Sequence, residues 1–420
     1  MESWAAPRAR QPVHARVELP GSKSLTNRYL ITAALADGPS RIAAPLQARD
    51  TLLMADALRA LGVLIEDDGT GWLVTPSGLR SGDIDCGLAG TVMRFVPPIA
   101  ALAVGSSRFD GDPHARTRPM DALIHSLRAL GITVEDGGTG TLPFRIDGTG
   151  SVAGGAIEID ASASSQFVSA LLLAGALFER GLELRHVGKP VPSLPHIEMT
   201  IAVLRQFGVA VDDSVSERWT VSPGPIRATD VVVEPDLSNA APFLASALVS
   251  GGSVTVPGWP CGTTQAGDAL RALLAQMRAE VLLADGSLTV THSGPIGPLV
   301  ADLHDVGELT PVLAALCALA DGESHLSGIA HLRGHETDRL AALSAELTAL
   351  GSDVRQTDDG LQIRPSTLHG GLWHAYADHR MATAGALLGL AVDGVFVDDI
   401  GCTSKTLPDF PAMWSATVGA

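Results

Sequence analysis

Aromatic residues make up 4% of this 420-residue chain, and only two of them are tyrosines. Its core must therefore be built from Ala, Leu and Val, which favours small-faced helices packed closely on sheets. Basic residues are also few, 29 Lys and Arg against 46 Asp and Glu, leaving a net charge of −17. That balance argues against a nucleic-acid or anionic-membrane partner, whereas a small anion needs only a local cluster of positive charge. The four cysteines, Cys86, Cys261, Cys317 and Cys402, lie too far apart for a metal or redox motif and predict free, buried thiols in a reducing cytosol. No apolar run reaches membrane-spanning or signal-peptide length, so the cytoplasm is the expected location, and the first dozen residues are expected to form a loose tail. Missing too are a GxxxxGK[ST] phosphate loop, a GxGxxG after the first strand, a GxSxG elbow and an HExxH pair. ATP, dinucleotide, serine-hydrolase and zinc-protease chemistry all lose support.

What the chain does contain is a repeat. Ala/Leu-rich stretches stop at a glycine and restart as a strand six times, at Gly38, Gly105, Gly181, Gly252, Gly322 and Gly394, with a period of about 70 residues. Within each period a second helix ends in an ALG-like turn and runs into a hairpin, as in LRALGVLIEDDGTGWLVTPSG. Each module reads strand, helix, strand, helix, hairpin, so the expected class is α/β, with the six modules split three and three. The sixth is cut short near Trp414, and the N-terminus is expected to complete it. The boundary falls near Val231 to Glu234, where the fourth copy is expected to start. This gives one discontinuous domain, residues 1–19 with 235–420, and one inserted domain, residues 20–234.

Aligned by copy, the six loops that lead into the first helix of each module differ in chemistry. A helix N-terminus with its unpaired N–H groups suits a bound phosphate or carboxylate, although Ser, Thr, Asp and Asn there are also ordinary caps. Capping does not account for Lys23 and Arg28 beside Ser22 and Ser24, nor for Gly90 and Thr91 with Arg94. Copies four to six instead carry Asp236, Glu308, Asp378 and His379. One half thus reads as basic and the other as acidic, a combination suited to binding anions and moving protons. The cationic run from His331 to Arg339 does not suit a metal, since its arginines would repel one.

PGSKSLTNR, GLAGTVMR, RTRPM, SASSQF, GHETDRL, DHRMA and KTLPDF, in this order along the chain, resemble the motifs of the 3-phosphoshikimate 1-carboxyvinyltransferase (EPSP synthase) family. The resemblance implies an inside-out α/β barrel architecture of two domains, each of three βαβαββ repeats. It implies transfer of the enolpyruvyl group of phosphoenolpyruvate to the 5-hydroxyl of shikimate 3-phosphate by addition and elimination, with no metal or organic cofactor. Carried over by motif, Lys23, Ser24, Arg28, Ser164, Ser165, Gln166, Ser193, Glu308 and His335 would hold shikimate 3-phosphate. Phosphoenolpyruvate would meet Lys23, Gly90, Arg118, Gln166, Arg339, Arg380 and Lys405. Arg94 would play a supporting part. Catalysis would fall to Glu308 at the sugar hydroxyl, Glu336 at the methylene carbon, Lys23 near the bridging oxygen, and His335.

The chain departs from the family pattern where Glu308 replaces an Asp, His335 a Lys, His196 a Tyr and Leu88 an Asn. A histidine in a lysine's place would titrate near neutrality unless Glu308 or Glu336 holds its proton. The resemblance further implies a monomer and inhibition by the phosphonate glyphosate. Two alternatives are an enolpyruvyl transferase acting on UDP-N-acetylglucosamine and a degenerate anion-binding protein. The first generally has a reactive Cys in its RPxD-like loop, which is absent from Gly111 to Ala122, and the second is opposed by intact Lys23, Glu308, Glu336 and Arg380.

Overall fold

The computed structural model describes residues 3–419. The chain forms two compact units, one from the residues up to Pro20 together with Glu234 onward, the other from Gly21–Val233. Among the described residues there are six sheets, five of four strands and one of three.

In the Gly21–Val233 unit, each sheet has a central strand with a parallel neighbour on one side and an antiparallel hairpin on the other. The central strands are Ser40–Ala43, Val104–Asp110 and Leu182–His186, and each begins within two residues of the repeat's glycine. Apolar residues meet across the ladders, as where Ile42 faces Trp72 and Leu184 faces Trp219. The first helix of each module lies inside, which explains why Gln166–Gly175 is apolar almost all round, while Lys23–Ala34 buries Thr26, Asn27, Arg28 and Thr32 as well. Phe167 to Gly175 in the helix Gln166–Gly175 are all buried, as are Leu25 to Ala34 in Lys23–Ala34. The second helices, Arg49–Ala60, Asp121–Ala129 and Pro195–Gln206, bury one side only. Module two's first helix is split into Gly90–Phe95 and Pro97–Ala100, because Pro97 and Pro98 lack the N–H groups that would continue it.

The other unit repeats the plan around the helices Ala241–Ser250, Thr310–Ala318 and His379–Ala391, which pack on one another at its centre. Two expectations need correction. The strand Val13–Arg16 runs parallel to Gly252–Pro257, and Val231–Val232 runs parallel to Ser40–Ala43, so the fourth copy's apparent first strand belongs to the first copy's sheet and vice versa. The chain thus passes between units at Pro20–Gly21 and again at Val233–Glu234. Both are short strands that start on a valine, and pairing partners decide which sheet each joins.

The N-terminus is also not a loose tail throughout. Trp4–Ala5 pairs antiparallel with Val395–Val397, which in turn runs parallel to Gly371–Trp373. This short strand occupies the place that a hairpin strand takes in the other five sheets, so the N-terminus does complete the truncated sixth module. All four cysteines are free, but Cys261 is exposed and Cys402 only half-buried, against the expected burial of all four. Burial pushes the Cys317 thiol up to about 12, which leaves it inert at neutral pH. No helix among the described residues is long and apolar enough to cross a membrane.

Candidate active site

In the Gly21–Val233 unit, helix starts set out the cationic groups. Ser22 caps Lys23–Ala34 by accepting the Leu25 N–H at 3.5 Å. Lys23, the first residue of that helix, places Nζ 3.2 Å from Asp50 Oδ2, in the first turn of the neighbouring helix. Asp50 is 2% exposed, so this carboxylate fixes the ammonium from below. Sequence reasoning missed Asp50, and nothing in its local text marks it.

Arg28 is 1% exposed. Its Nε donates to Thr200 Oγ1 at 2.7 Å, Nη2 to the His196 carbonyl at 2.9 Å and Nη1 to the Ser24 carbonyl at 3.0 Å. These partners are neutral, and burial lowers the guanidinium pKa to about 9. Arg28 therefore stays charged at neutral pH, tying the start of the first helix to Pro195–Gln206. Ser193, just before that second helix, takes a left-handed φ of +56°, a strained state for a non-glycine residue.

Two further arginines meet at Gly90. A Cβ on Gly90 would come 2.9 Å from both Arg94 Nη1 and Arg118 Nη1. Arg94 is 3% exposed, lies over the Phe167 ring and donates to Gln166 Oε1 at 2.8 Å. Burial, then the like charge of Arg118, pushes its pKa down. Arg118 donates to the Leu88 carbonyl at 3.4 Å. Two guanidiniums held side by side at a helix start form a ready cradle for an anion. Ser164 sits at the start of the helix that carries Gln166 and accepts the Gln166 N–H at 3.3 Å, with Ser165 buried beside it. Arg116, by contrast, is exposed and paired with Asp110, outside this cluster.

The other unit holds a denser network. Asp378 caps His379–Ala391, accepting the Arg380 N–H at 2.9 Å, and is fully buried. Arg339 grips it with two bonds, Nε to Oδ2 at 2.7 Å and Nη2 to Oδ1 at 3.1 Å. Burial opposes both charges, but each partner outweighs it, raising the Arg339 pKa and lowering that of Asp378. Glu336 receives Lys405 Nζ on Oε1 at 2.8 Å and His379 Nδ1 on Oε2 at 3.3 Å. Burial favours its neutral form, but Lys405 and then His379 reverse this and hold it well below the usual carboxylate range. Glu308 accepts from Ser238 Oγ at 3.3 Å, while Arg380 Nη1 donates to the Ser238 carbonyl at 3.5 Å. Burial lowers the Arg380 pKa, and Glu308 partly offsets that.

His335 Nδ1 lies 3.5 Å from Arg339 Nη1. Since a guanidinium can only donate, this nitrogen accepts. Its neighbour His331 is held near pKa 4, chiefly by burial. Ligand atoms of Glu336, Asp378 and His379 lie within 4.8 Å of one another, a spacing that suits a metal. Guanidinium and ammonium groups already lie against both carboxylates, however, so the set is poorly suited to a divalent cation.

Within each unit, then, the motif residues converge, and the network also draws in Asp378 and His379, which sequence reasoning had noted as loop residues without giving them a role. Cationic groups gathered at helix starts, on two units that each repeat one α/β module, make this an anion-handling α/β protein. A solved structure of EPSP synthase from Acinetobacter baumannii aligns with a TM-score of 0.80 at 24% identity, covering 99% of this chain and 97% of that one. The enolpyruvyl transferase NikO from Streptomyces tendae aligns with a TM-score of 0.79 at 19% identity, covering 98% and 96%. At these identities both establish the fold.

The family model described as EPSP synthase (3-phosphoshikimate 1-carboxyvinyltransferase) matches residues 7–414, and the chain belongs to that family. It transfers the enolpyruvyl group of phosphoenolpyruvate to shikimate 3-phosphate, releasing phosphate, in the shikimate pathway of aromatic amino-acid synthesis.

Proposed function

We propose that the two domains divide the labour of this reaction. Residues 20–234 hold shikimate 3-phosphate through Lys23, Ser24, Ser164, Ser165, Gln166 and Ser193, with Arg28 acting from beneath through its charge and its hold on the Ser24 carbonyl. Gly90 and Arg118 offer phosphoenolpyruvate an anion cradle. Residues 1–19 with 235–420 supply Arg339, Arg380 and Lys405 for the same substrate, and Glu308, Glu336 and His335 for proton traffic. The observation that supports this reading is the pair of guanidiniums at Gly90, where Arg94 Nη1 and Arg118 Nη1 would both lie 2.9 Å from an added Cβ.

In the proposed cycle, Glu308 takes the proton of the sugar hydroxyl as its oxygen attacks C2 of phosphoenolpyruvate, and C3 gains a proton. The tetrahedral intermediate then expels phosphate and loses a proton from C3, giving the enolpyruvyl ether. Glu336 is an anion in the ligand-free protein, so it must first acquire the proton it delivers. Lys405 and His379, its two partners, are the donors we assign. The enzyme works as a monomer in the cytoplasm.

Titration calorimetry tests the assignment: Ser193→Ala should weaken shikimate 3-phosphate binding, and Arg380→Ala should weaken phosphoenolpyruvate binding with shikimate 3-phosphate present. Effects of both on the same ligand would contradict it. Gly90→Ala should raise KM for phosphoenolpyruvate about tenfold and leave shikimate 3-phosphate binding unchanged, because the added methyl pushes against both guanidiniums. An unchanged KM in steady-state assays would count against the cradle.

His335 gives a pH signature. If its cation serves shikimate 3-phosphate, affinity is present in acid and falls as pH rises through the imidazole pKa. His335→Lys should flatten the profile between pH 6 and 9. A wild-type profile that is already flat would remove His335 from the site.

A further inference from the structure

We infer that Glu346 is a positioning residue for the reaction, holding the backbone at Tyr376 and Ala377 in the strained shape that aims Asp378, His379 and Arg380. Tyr376 and Ala377 both take left-handed φ, +55° and +54°. Two consecutive non-glycine residues in that region are costly and persist only where their surroundings over-determine them. They immediately precede Asp378, the cap of the helix whose first residues are His379 and Arg380. The direction of three site residues is therefore set by a segment that would relax if released.

Glu346 is what holds it. This residue is 4% exposed, on the inner side of the helix Arg339–Ala349. Its Oε2 accepts the His374 backbone N–H at 2.9 Å, its Oε1 accepts the Tyr376 hydroxyl at 2.6 Å, and His374 Nδ1 lies 3.1 Å from Oε2. One carboxylate thus clamps both ends of a three-residue arc. A second clamp comes from Asp398, whose Oδ1 accepts the Ala375 N–H at 2.8 Å.

The geometry links Glu346 to the chemistry by a short route. Its own helix begins at Arg339, whose guanidinium grips Asp378. Two points on one helix, Arg339 and Glu346, therefore hold both sides of the strained arc. Tyr376 is 43% exposed, so neither core packing nor burial of its ring accounts for its backbone state, whereas the bond from its hydroxyl does. Charge alone would not require this arrangement: a carboxylate meeting a backbone N–H, a hydroxyl and an imidazole fixes geometry.

The inference rests on the reading of Arg380 and its neighbours as phosphoenolpyruvate ligands, and the test separates the two. Glu346→Gln, assayed in the full-length enzyme, should raise KM for phosphoenolpyruvate about tenfold, lower kcat through the misaimed His379, and leave KM for shikimate 3-phosphate unchanged. Ala377→Gly, which removes the left-handed penalty, should be near neutral alone and should restore at least about threefold of the lost affinity in the Glu346→Gln background. A merely structural Glu346 would shift thermal stability and show no such rescue. Equal effects on both substrates, an unchanged phosphoenolpyruvate KM, or no rescue would each overturn the inference. Should Glu346→Gln fail to fold, the exposed Tyr376→Phe decides, since loss of its hydroxyl should raise the same KM about threefold and no change would overturn the inference. Arg380→Ala is the control: if it leaves KM for phosphoenolpyruvate unchanged, the ligand assignment itself has failed and the inference falls with it. If it raises KM while Glu346→Gln does not, only the inference fails.

Discussion

Glu336→Gln should lower kcat at least about 10²-fold while the protein folds and binds shikimate 3-phosphate normally, because an amide cannot carry a proton to the methylene carbon. The same loss is expected for Lys23→Met, which removes the ammonium that Asp50 holds in place. The two variants fail differently. In Glu336→Gln, Lys405 and His379 lose the anion they surround, leaving two groups of like polarity in a buried site, so phosphoenolpyruvate binding should hold or tighten while chemistry stops. In Lys23→Met both substrates lose a cation, so their affinities and kcat should fall together. Rapid-quench measurement of the first turnover separates binding from chemistry, and near-normal turnover in Glu336→Gln would remove it as the proton carrier.

The second large effect is on stability. Arg339 is 3% exposed and Asp378 is fully buried. Asp378→Asn should cost about 3–5 kcal/mol, because it leaves a buried guanidinium without its counter-charge. Replacing both partners, with Arg339→Met and Asp378→Leu, should recover most of that stability, since an apolar pair of similar volume avoids desolvating two ions. Activity should not return, as Arg339 is assigned to phosphoenolpyruvate. The pH dependence has a definite sign. The Asp378 pKa is lower folded than unfolded, so the pair's contribution is complete above the ordinary carboxylate range and is lost as pH falls through the folded value. Asp378→Asn should abolish that part of the acid loss. Denaturant midpoints followed by tryptophan fluorescence test this, with Trp373 close at hand, its Nε1 donating to the Met381 carbonyl. Equal stability of Asp378→Asn and wild type would contradict the account.

The six-module plan was legible because apolar periodicity and the glycine stops are local properties. The strand exchange was legible only in part, since the return of residues 1–19 to the second half was expected but the sheet that each strand joins was not. Val13–Arg16 and Val231–Val232 are both short strands that start on a valine, and only long-range pairing with Gly252 and Ile42 shows which sheet each joins. Trp4–Ala5 escaped notice for a related reason, since two residues carry too little pattern to read as a strand.

At the site, charged residues within motifs were readable and their partners were not. Asp50 and Glu346 sit in plain helical text, and their importance lies in what they face across space. One compositional signal was available: the chain has only three lysines, Lys23, Lys189 and Lys405, so two of the three fall in anion-binding motifs. Glu336 shows the limit of reading residue types alone. Its place as an acid came from the motif, but only the contacts with Lys405 and His379 show why its carboxyl is held well below the usual carboxylate range; in the proposed cycle it must therefore gain a proton before it can give one.

The central claim is that this chain joins two particular anions, and phosphate release measured with each substrate alone and with both together tests it most directly. The account predicts no phosphate from phosphoenolpyruvate alone, and stoichiometric release with the enolpyruvyl ether once shikimate 3-phosphate is added. Release without shikimate 3-phosphate, or with UDP-N-acetylglucosamine in its place, would contradict it.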